Sequence, residues 1–377
     1  MQDDNKLKRL AIACGGTGGH FYPGLSVARE LQQQGGEAML ILSGNHVTSQ
    51  TATAATFNLP VITVKSSKIK SITFPFKLLI GILQAIKALR SFKPDALLAM
   101  GSFASFTAAI AAKILGIPIF LHDGNARIGK SNRLLSYLAK HLAVAFPPVN
   151  AETCHCSYST IGMPLRPELL TEWHKQLDKS SAIKLLNEKF SSSFDPAKPT
   201  LLIFGGSQGA QALNEIFPQA LKQLNTAELQ IIHLTGAQKF TSTVEIYHDT
   251  KFEKLLLESS AEMALFYRAA DAVVCRSGGS TVAELLLFGK FAFLIPYPYA
   301  AELHQDDNAQ YMATSGAAAI IYNNECTVDK AQTTLTKWLS EVEACKKHGL
   351  TAQAQAKPDA GKAMLKIIYN SKDNRTR

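Results

Sequence analysis

Two glycine-rich turns, 190 residues apart, each close a short apolar strand and open a helix. The first is Leu10-Ala-Ile-Ala-Cys followed by Gly15-Gly-Thr-Gly-Gly-His20. The second is Leu201-Leu-Ile-Phe followed by Gly205-Gly-Ser-Gln-Gly209. A helix start offers unpaired backbone N–H groups and a partial positive charge. Glycines let a phosphate come close to that backbone. Two such turns at equivalent places predict a pair of doubly wound, Rossmann-like α/β domains facing a cleft.

A chain of 377 residues is long enough for two full cores. Its alternating order supports that reading. Strands are predicted near Leu10–Cys14, Ala38–Leu42, Val61–Val64, Ala96–Met100, Ile117–Leu121, His141–Ala145 and Tyr158–Gly162. Helices fill the gaps, among them Pro23–Gln33, Phe103–Leu115 and Ser131–Lys140. Such alternation argues a parallel sheet covered on both faces. Two prolines in Met163-Pro-Leu-Arg-Pro167 suggest a linker. A second set follows at Leu201–Phe204, Gln230–Leu234, Ala272–Cys275 and Phe291–Ile295. The expected domains are 1–166 and 167–345, with a C-terminal helix within 346–377 that can pack back on the first.

Charge is unevenly placed. The net charge is +9, yet residues 1–166 hold 17 Lys/Arg against 7 Asp/Glu and the remainder 22 against 23. A basic first half can face nucleic acid, an anionic membrane or an acidic ligand. No recognised nucleic-acid motif accompanies it. The stretch Val64–Leu83 sets Lys65, Lys68, Lys70 and Lys77 beside Phe74, Phe76, Leu78 and Leu79. That pattern suits an anionic membrane surface; it also suits a loop followed by a core helix. No window reaches the roughly 20 apolar residues of a spanning helix. The polar start is not a signal peptide. The cysteines, clustered only at Cys154-His-Cys156, read as free thiols of a reducing compartment rather than metal ligands. A cytoplasmic protein is expected.

Individual loops leave alternatives open. The first turn is no G-x-G-x-x-G fingerprint, since Phe21 takes the third position. His20 can exchange a proton near neutral pH or merely cap the loop. Gly124-Asn-Ala-Arg-Ile-Gly129-Lys130-Ser131 matches the P-loop pattern of an ATPase in full. Against it, the match lies on a late strand, lacks a magnesium-holding Asp strand and leaves both glycine turns unexplained. Arg276-Ser-Gly-Gly-Ser-Thr-Val-Ala-Glu284 delivers a carboxylate that can accept ribose hydroxyls or sit on the surface near a helix start. Gln305 and Asn308, three apart, share a helix face and suit sugar hydroxyls.

Together these residues resemble the MurG family, the UDP-N-acetylglucosamine transferases that convert lipid I to lipid II in peptidoglycan synthesis. Gly15–His20 with Pro23-Gly-Leu is similar to the family's first loop, and Gly205–Ala210 with Asn214 to its second. Cys275-Arg-Ser-Gly, Thr281-Val-Ala-Glu284 and His304-Gln305 with Asn308 are similar to its donor site. Gly162-Met-Pro-Leu-Arg166 resembles its Gly-Asn-Pro-x-Arg, with Met163 in place of Asn. His122-Asp123-Gly124-Asn125 stands where the family usually reads His-Glu-Gln-Asn.

The resemblance implies GT-B architecture and inverting transfer of GlcNAc from UDP-GlcNAc to the C4 hydroxyl of the muramoyl sugar of lipid I. It implies His20 as base, with Asp123 assisting. It places Thr17, Gly18, Gly19, Asn125, Arg166, Ser207, Gln208, Gly209, Ser260, Met263, Glu284, His304, Gln305 and Asn308 with the donor. Gly16, Lys70, Phe74, Phe76, Lys77 and Asn132 go with the acceptor and the membrane. It implies no metal ion and no cofactor, a peripheral place on the cytoplasmic face of the cell membrane, and cell-wall synthesis proteins as partners. The alternatives are another GT-B lipid glycosyltransferase, with a diacylglycerol or sterol acceptor, a UDP-sugar epimerase, a P-loop ATPase, or a non-enzymatic membrane scaffold.

Overall fold

The structure, a computed structural model, describes residues 7–16, 18–44, 46–65, 74–205, 210–224 and 226–373. The chain divides into two units, residues 1–167 with 357–377, and residues 168–356. Thr17, Lys70, Ser207, Gln208 and Gly209, named above as site residues, lie outside the described residues, as does the side chain of Phe74.

The first unit holds a parallel sheet of β1 (Arg9–Ala13), β2 (Glu37–Leu42), β3 (Val61–Thr63), β4 (Ala96–Ala99), β5 (Ile119–Asp123), β6 (His141–Val144) and β7 (Ser157–Thr160). Their spatial order is β3-β2-β1-β4-β5-β6-β7. The central strands read as unbroken apolar runs because both faces are covered. One face packs Phe21, Leu25 and Leu31 with Met364, Leu365 and Ile368. The other packs Ala85, Leu89, Ala108, Ala112 and Leu135. The last helix, Ala360–Asp373, therefore belongs to the first unit's core. Its three large buried side chains, Met364, Leu365 and Ile368, contribute roughly 1.5–3 kcal/mol each. The return begins at Lys357, so the helix Val342–Ala352 stays with the second unit.

The first helix starts at Gly18, five residues before the start read from the sequence, and carries Pro23 inside it. Proline forfeits one helix hydrogen bond. The extra turn buries Phe21 to 1% exposure. His20 consequently sits on the helix rather than before it. The helix expected over Ser131–Lys140 is shorter, Lys130–Leu135, and Ser136 Oγ donates to the Arg133 carbonyl at its end.

The second unit's sheet comprises β8 (Thr200–Phe204), β9 (Gln230–Leu234), β10 (Glu253–Leu257), β11 (Ala272–Cys275), β12 (Phe291–Leu294) and β13 (Ala318–Ile320). Its order is β10-β9-β8-β11-β12-β13, all parallel. Beside β9 lies a buried polar chain. Tyr247 OH is 2.9 Å from His233 Nδ1, and His233 Nε2 is 3.0 Å from Asn214 Oδ1. Asn214 Nδ2 donates to the Thr235 carbonyl at 2.7 Å. Because that amide nitrogen faces a carbonyl, Asn214 Oδ1 faces His233, whose Nε2–H donates. Tyr247 then donates to Nδ1. A neutral imidazole satisfies every partner.

Burial pushes the His233 pKa down to about 3. Between there and the unfolded value near 6.5, the unfolded chain binds a proton that the folded chain refuses. Stability therefore falls as pH falls through this window, by up to about tenfold in the unfolding equilibrium per pH unit. Urea unfolding at pH 7.5, 6.0 and 5.0 should show a steeper acid loss for the wild type than for His233→Gln. Equal slopes would mean that His233 titrates alike in both states.

Candidate functional site

In a parallel sheet that winds both ways, ligands settle where the strand order reverses, at the carboxyl ends of the strands. In the first unit that point lies between β1 and β4. His20 occupies it, half-buried in the first helical turn. Its Nδ1 is 2.9 Å from the carbonyl of Met100, the residue after β4. A carbonyl only accepts, so Nδ1–H donates and the neutral ring carries its lone pair on Nε2. Gly101 follows with φ 88°. A Cβ there would stand 3.4 Å from His20 Cε1 and 3.3 Å from Asn132 Nδ2. Glycine alone adopts that backbone without strain while leaving the ring and the amide beside each other.

Asn132 is 1% exposed. Its Nδ2 donates to the His122 carbonyl at 3.0 Å and to Asp123 Oδ2 at 2.9 Å. Its Oδ1 is buried with no hydrogen-bond partner among the described residues. Behind it, burial lowers the His122 pKa, and Nε2 of that ring donates to the Gly162 carbonyl at 3.2 Å.

Asp123 ends β5 and accounts for the P-loop spacing. Its Oδ1 accepts from the Asn125 backbone N–H at 3.2 Å, and its Oδ2 from the Gly129 N–H at 2.8 Å. The turn that would cradle a phosphate is wrapped around a carboxylate of its own chain. A second anion there meets like charge. The ATPase reading loses its site for this reason. Both departures from the family pattern also meet here. A Cβ on Gly124 would lie 2.6 Å from Met163 Cε, and Met163 is 3% exposed. The methionine methyl fills the space of a side chain at 124.

Other first-unit residues are placed as follows. Gly18 and Gly19 are exposed at the helix start, and Asn125 is half-buried. Gly16, φ 105°, has its carbonyl held by Gln50 Nε2 at 2.8 Å. The Arg166 guanidinium lies 5.7 Å from the centre of the Tyr22 ring. Phe76 and Lys77 are exposed on the helix Phe74–Phe92.

In the second unit the reversal lies between β8 and β11. The turn after β11 is pinned by Arg276, whose Nη1 is 3.0 Å from the carbonyls of Ile295 and Pro296 and from Asn323 Oδ1. Burial holds that guanidinium below its usual pKa. Ser277 Oγ donates to the Gln305 carbonyl at 2.7 Å, and Asn308 Nδ2 donates to the Ser277 carbonyl at 3.0 Å. Asn308 is fully buried. Asn308 underpins the turn, and Gln305, three residues before it on the same helix, is half-buried at its edge. Gln305 Oε1 accepts from the Tyr297 N–H at 2.9 Å, which turns its NH2 donors the other way. His304 Nδ1–H donates to the Ala301 carbonyl at 2.8 Å.

Glu284 is not on the surface. It is 9% exposed and accepts from Tyr267 OH at 2.9 Å. Ser260 Oγ accepts from the Glu262 N–H at 3.0 Å, and Met263 opens the helix Met263–Ala269. Arg276 and Ser277 stood in a quoted motif without roles of their own, and Tyr267 was not singled out from the sequence. Arg276 follows a strand directly, which is a readable signal; Tyr267 gives none. Among the described residues, no three His, Cys, Asp or Glu side chains are grouped to hold a metal ion.

Residues 10–144 match the glycosyltransferase family 28 N-terminal domain, and residues 200–364 its C-terminal domain. Two relatives carry the name UDP-N-acetylglucosamine--N-acetylmuramyl-(pentapeptide) pyrophosphoryl-undecaprenol N-acetylglucosamine transferase. That of Ectopseudomonas mendocina is 35% identical over 364 residues, covering 95% of this chain and 97% of the relative. That of Hahella chejuensis is 32% identical over 369 residues, covering 97% and 98%. The crystal structure of Acinetobacter baumannii MurG superposes with a TM-score of 0.78 at 29% identity, covering 96% of this chain and 99% of that one. UDP-GlcNAc 2-epimerase of Neisseria meningitidis shares the fold alone, at 14% identity, a TM-score of 0.68 and coverage of 96% and 99%.

The Gly124–Met163 contact predicts coupled energetics. Gly124→Gln should destabilise by about 1–3 kcal/mol through overpacking. Adding Met163→Asn should recover part of that loss. Additive effects in denaturant unfolding would show the two positions to be independent.

Proposed function

The chain belongs to the MurG family, with both glycosyltransferase family 28 domains, and we propose that it moves GlcNAc from UDP-GlcNAc to the C4 hydroxyl of MurNAc in lipid I, forming lipid II. The observation that carries the chemistry is the His20–Met100 hydrogen bond. It fixes the tautomer whose Nε2 is basic, at the reversal point of the first sheet. The C4 oxygen attacks the anomeric carbon and its proton passes to Nε2. The bond to the diphosphate oxygen breaks, and UDP leaves with the electron pair. Attack opposite the leaving group inverts the anomeric centre. Asn132, whose Nδ2 lies beside Gly101 and whose Oδ1 is a buried acceptor, is assigned to the acceptor side. Asp123 acts at one remove, by shaping its loop. Gly16 shapes the acceptor side in the same way.

The donor is assigned mainly to the second unit. Glu284 takes the ribose hydroxyls and Gln305 the sugar, with His304 beside it. Ser260 and Met263 meet the uracil. Ser207, Gln208 and Gly209 hold the diphosphate, with Arg166 adding charge. Asn308 is assigned to the donor as well, as are Thr17, Gly18, Gly19 and Asn125. Donors fixed in advance stabilise the leaving diphosphate without reorganising.

The membrane surface is the second partner, at the cytoplasmic face. No helix among the described residues is long and apolar enough to cross a bilayer. The helix Phe74–Phe92 instead exposes Phe76 (74%), Leu79, Ile80 and Leu83 along one stripe. Residues 38–94 contain no Asp or Glu. Apolar anchors without nearby anions suit an anionic bilayer, with Lys77, and Lys70 by its charge, adding attraction. Cell-wall synthesis proteins are the further partners of this reading.

His20→Ala should lower kcat for a soluble lipid I analogue by about 10²–10⁴-fold while the KM for UDP-GlcNAc barely moves. Unchanged kcat would remove His20 from the reaction. Glu284→Ala should raise the donor KM more than it lowers kcat. The double change Leu79→Glu with Leu83→Glu should abolish sedimentation with vesicles rich in phosphatidylglycerol and spare turnover of the soluble analogue. Retained sedimentation would place the membrane contact elsewhere.

A further inference from the structure

The helix Val47–Ala55 is exposed along most of its length and buries only two side chains, Gln50 and Ala54. A buried alanine is ordinary. A buried glutamine is not, because its amide gives up water and needs protein partners in return. Gln50 is 6% exposed, and its Nε2 donates to the Gly16 carbonyl at 2.8 Å, across 34 residues of sequence. Its Oε1 is buried without a hydrogen-bond partner among the described residues. The backbone packs closely around this contact. A Cβ on Gly44 would lie 3.8 Å from Gly16 Cα, and one on Gly15 would collide with the Ser43 backbone.

From this we infer that Gln50 is a positioning residue for the first glycine turn and, through it, for His20. Gly16 has φ 105°, a conformation that glycine enters as easily as it leaves. The turn cannot hold itself by backbone preference alone. A trans peptide keeps its C=O and its N–H on opposite sides. Holding the Gly16 carbonyl towards the helix Val47–Ala55 thus fixes the direction in which the backbone leaves Gly16. The helix that carries His20 starts two residues later, at Gly18. The hydrogen bond sets the direction in which that helix start, and the imidazole on its first turn, are presented. Gln50 touches no reacting atom in this assignment. The inference about kcat rests on the transferase reading; the inference about the turn does not.

The test is Gln50→Met, which keeps the side chain's approximate length and volume and removes the amide, with it the donor to Gly16 and the unpartnered Oε1. Two readouts separate the turn from the reaction. Hydrogen exchange of a peptide covering residues 10–25 should quicken about tenfold, whatever the protein's activity. In transfer to a soluble lipid I analogue, kcat should fall about tenfold or more, as expected of a misplaced catalytic group, with the donor KM within about twofold. A role in packing alone leaves both unchanged in Gln50→Met, and that result overturns the inference. Faster exchange in Gln50→Met, with a wild type that transfers no GlcNAc to the analogue, would instead fault the transferase reading and keep the turn's dependence on Gln50. Should Gln50→Met fail to fold, the wild type still decides the matter. Its Gln50 side-chain NH2 protons should exchange slowly by NMR, and exchange at the rate of exposed glutamines overturns the inference.

Discussion

A parallel sheet that winds outwards in both directions leaves one place where neighbouring loops part to opposite faces. Each unit has one such place, between β1 and β4 and between β8 and β11. Nothing in the strands can cover it, since their crossover helices lie on the faces. Polar side chains and helix starts collect there because water or a ligand is the only other partner for their backbone groups. His20, Gly101 and Asn132 in one unit, and Arg276, Ser277 and Gln305 in the other, owe their positions to that constraint.

Around each reversal, buried side chains hold turns that glycines make too soft to hold themselves. Asp123 gathers the N–H groups of Asn125 and Gly129, Asn308 holds the Ser277 carbonyl, and Arg276 gathers the ends of β12. These groups are charged or strongly polar because each replaces several lost bonds to water at once. The same turns are therefore sensitive to changes that leave the surface untouched. Met163 against Gly124 is an instance: an apolar methyl takes up volume beside a polar clasp without offering it a bond.

The sequence made the central strands legible, with the reversal at His20, because unbroken apolar runs ending in glycine have few other folds. Two edge strands were missed. Glu253–Leu257 is half-buried and begins with Glu-Lys, and Ala318–Ile320 is three residues long. Neither carries a pattern of its own; each is a strand because a neighbour offers it a ladder. Within the candidate site, His20 and Glu284 stood out by position. The burial of Asn308 did not, because a polar residue is buried by tertiary partners that spacing cannot reveal. The false P-loop failed for a related reason: sequence shows the amides of the turn but not the carboxylate they enclose.

The last helix, Ala360–Asp373, fills the core beside Phe21 and Leu31 with Met364, Leu365 and Ile368. The second unit, residues 168–356, is thus an insertion in the first. During synthesis the first sheet emerges early, with one face still lacking the last helix of its layer, and waits for the whole second unit before that closing helix leaves the ribosome. The half made first is finished last. Its bare face is apolar in the interval, the kind of surface that chaperones recognise or that other chains capture. A stop codon or a proteolytic cut near residue 357 would injure a domain whose own strands all end at or before Thr160, about 200 residues or more upstream.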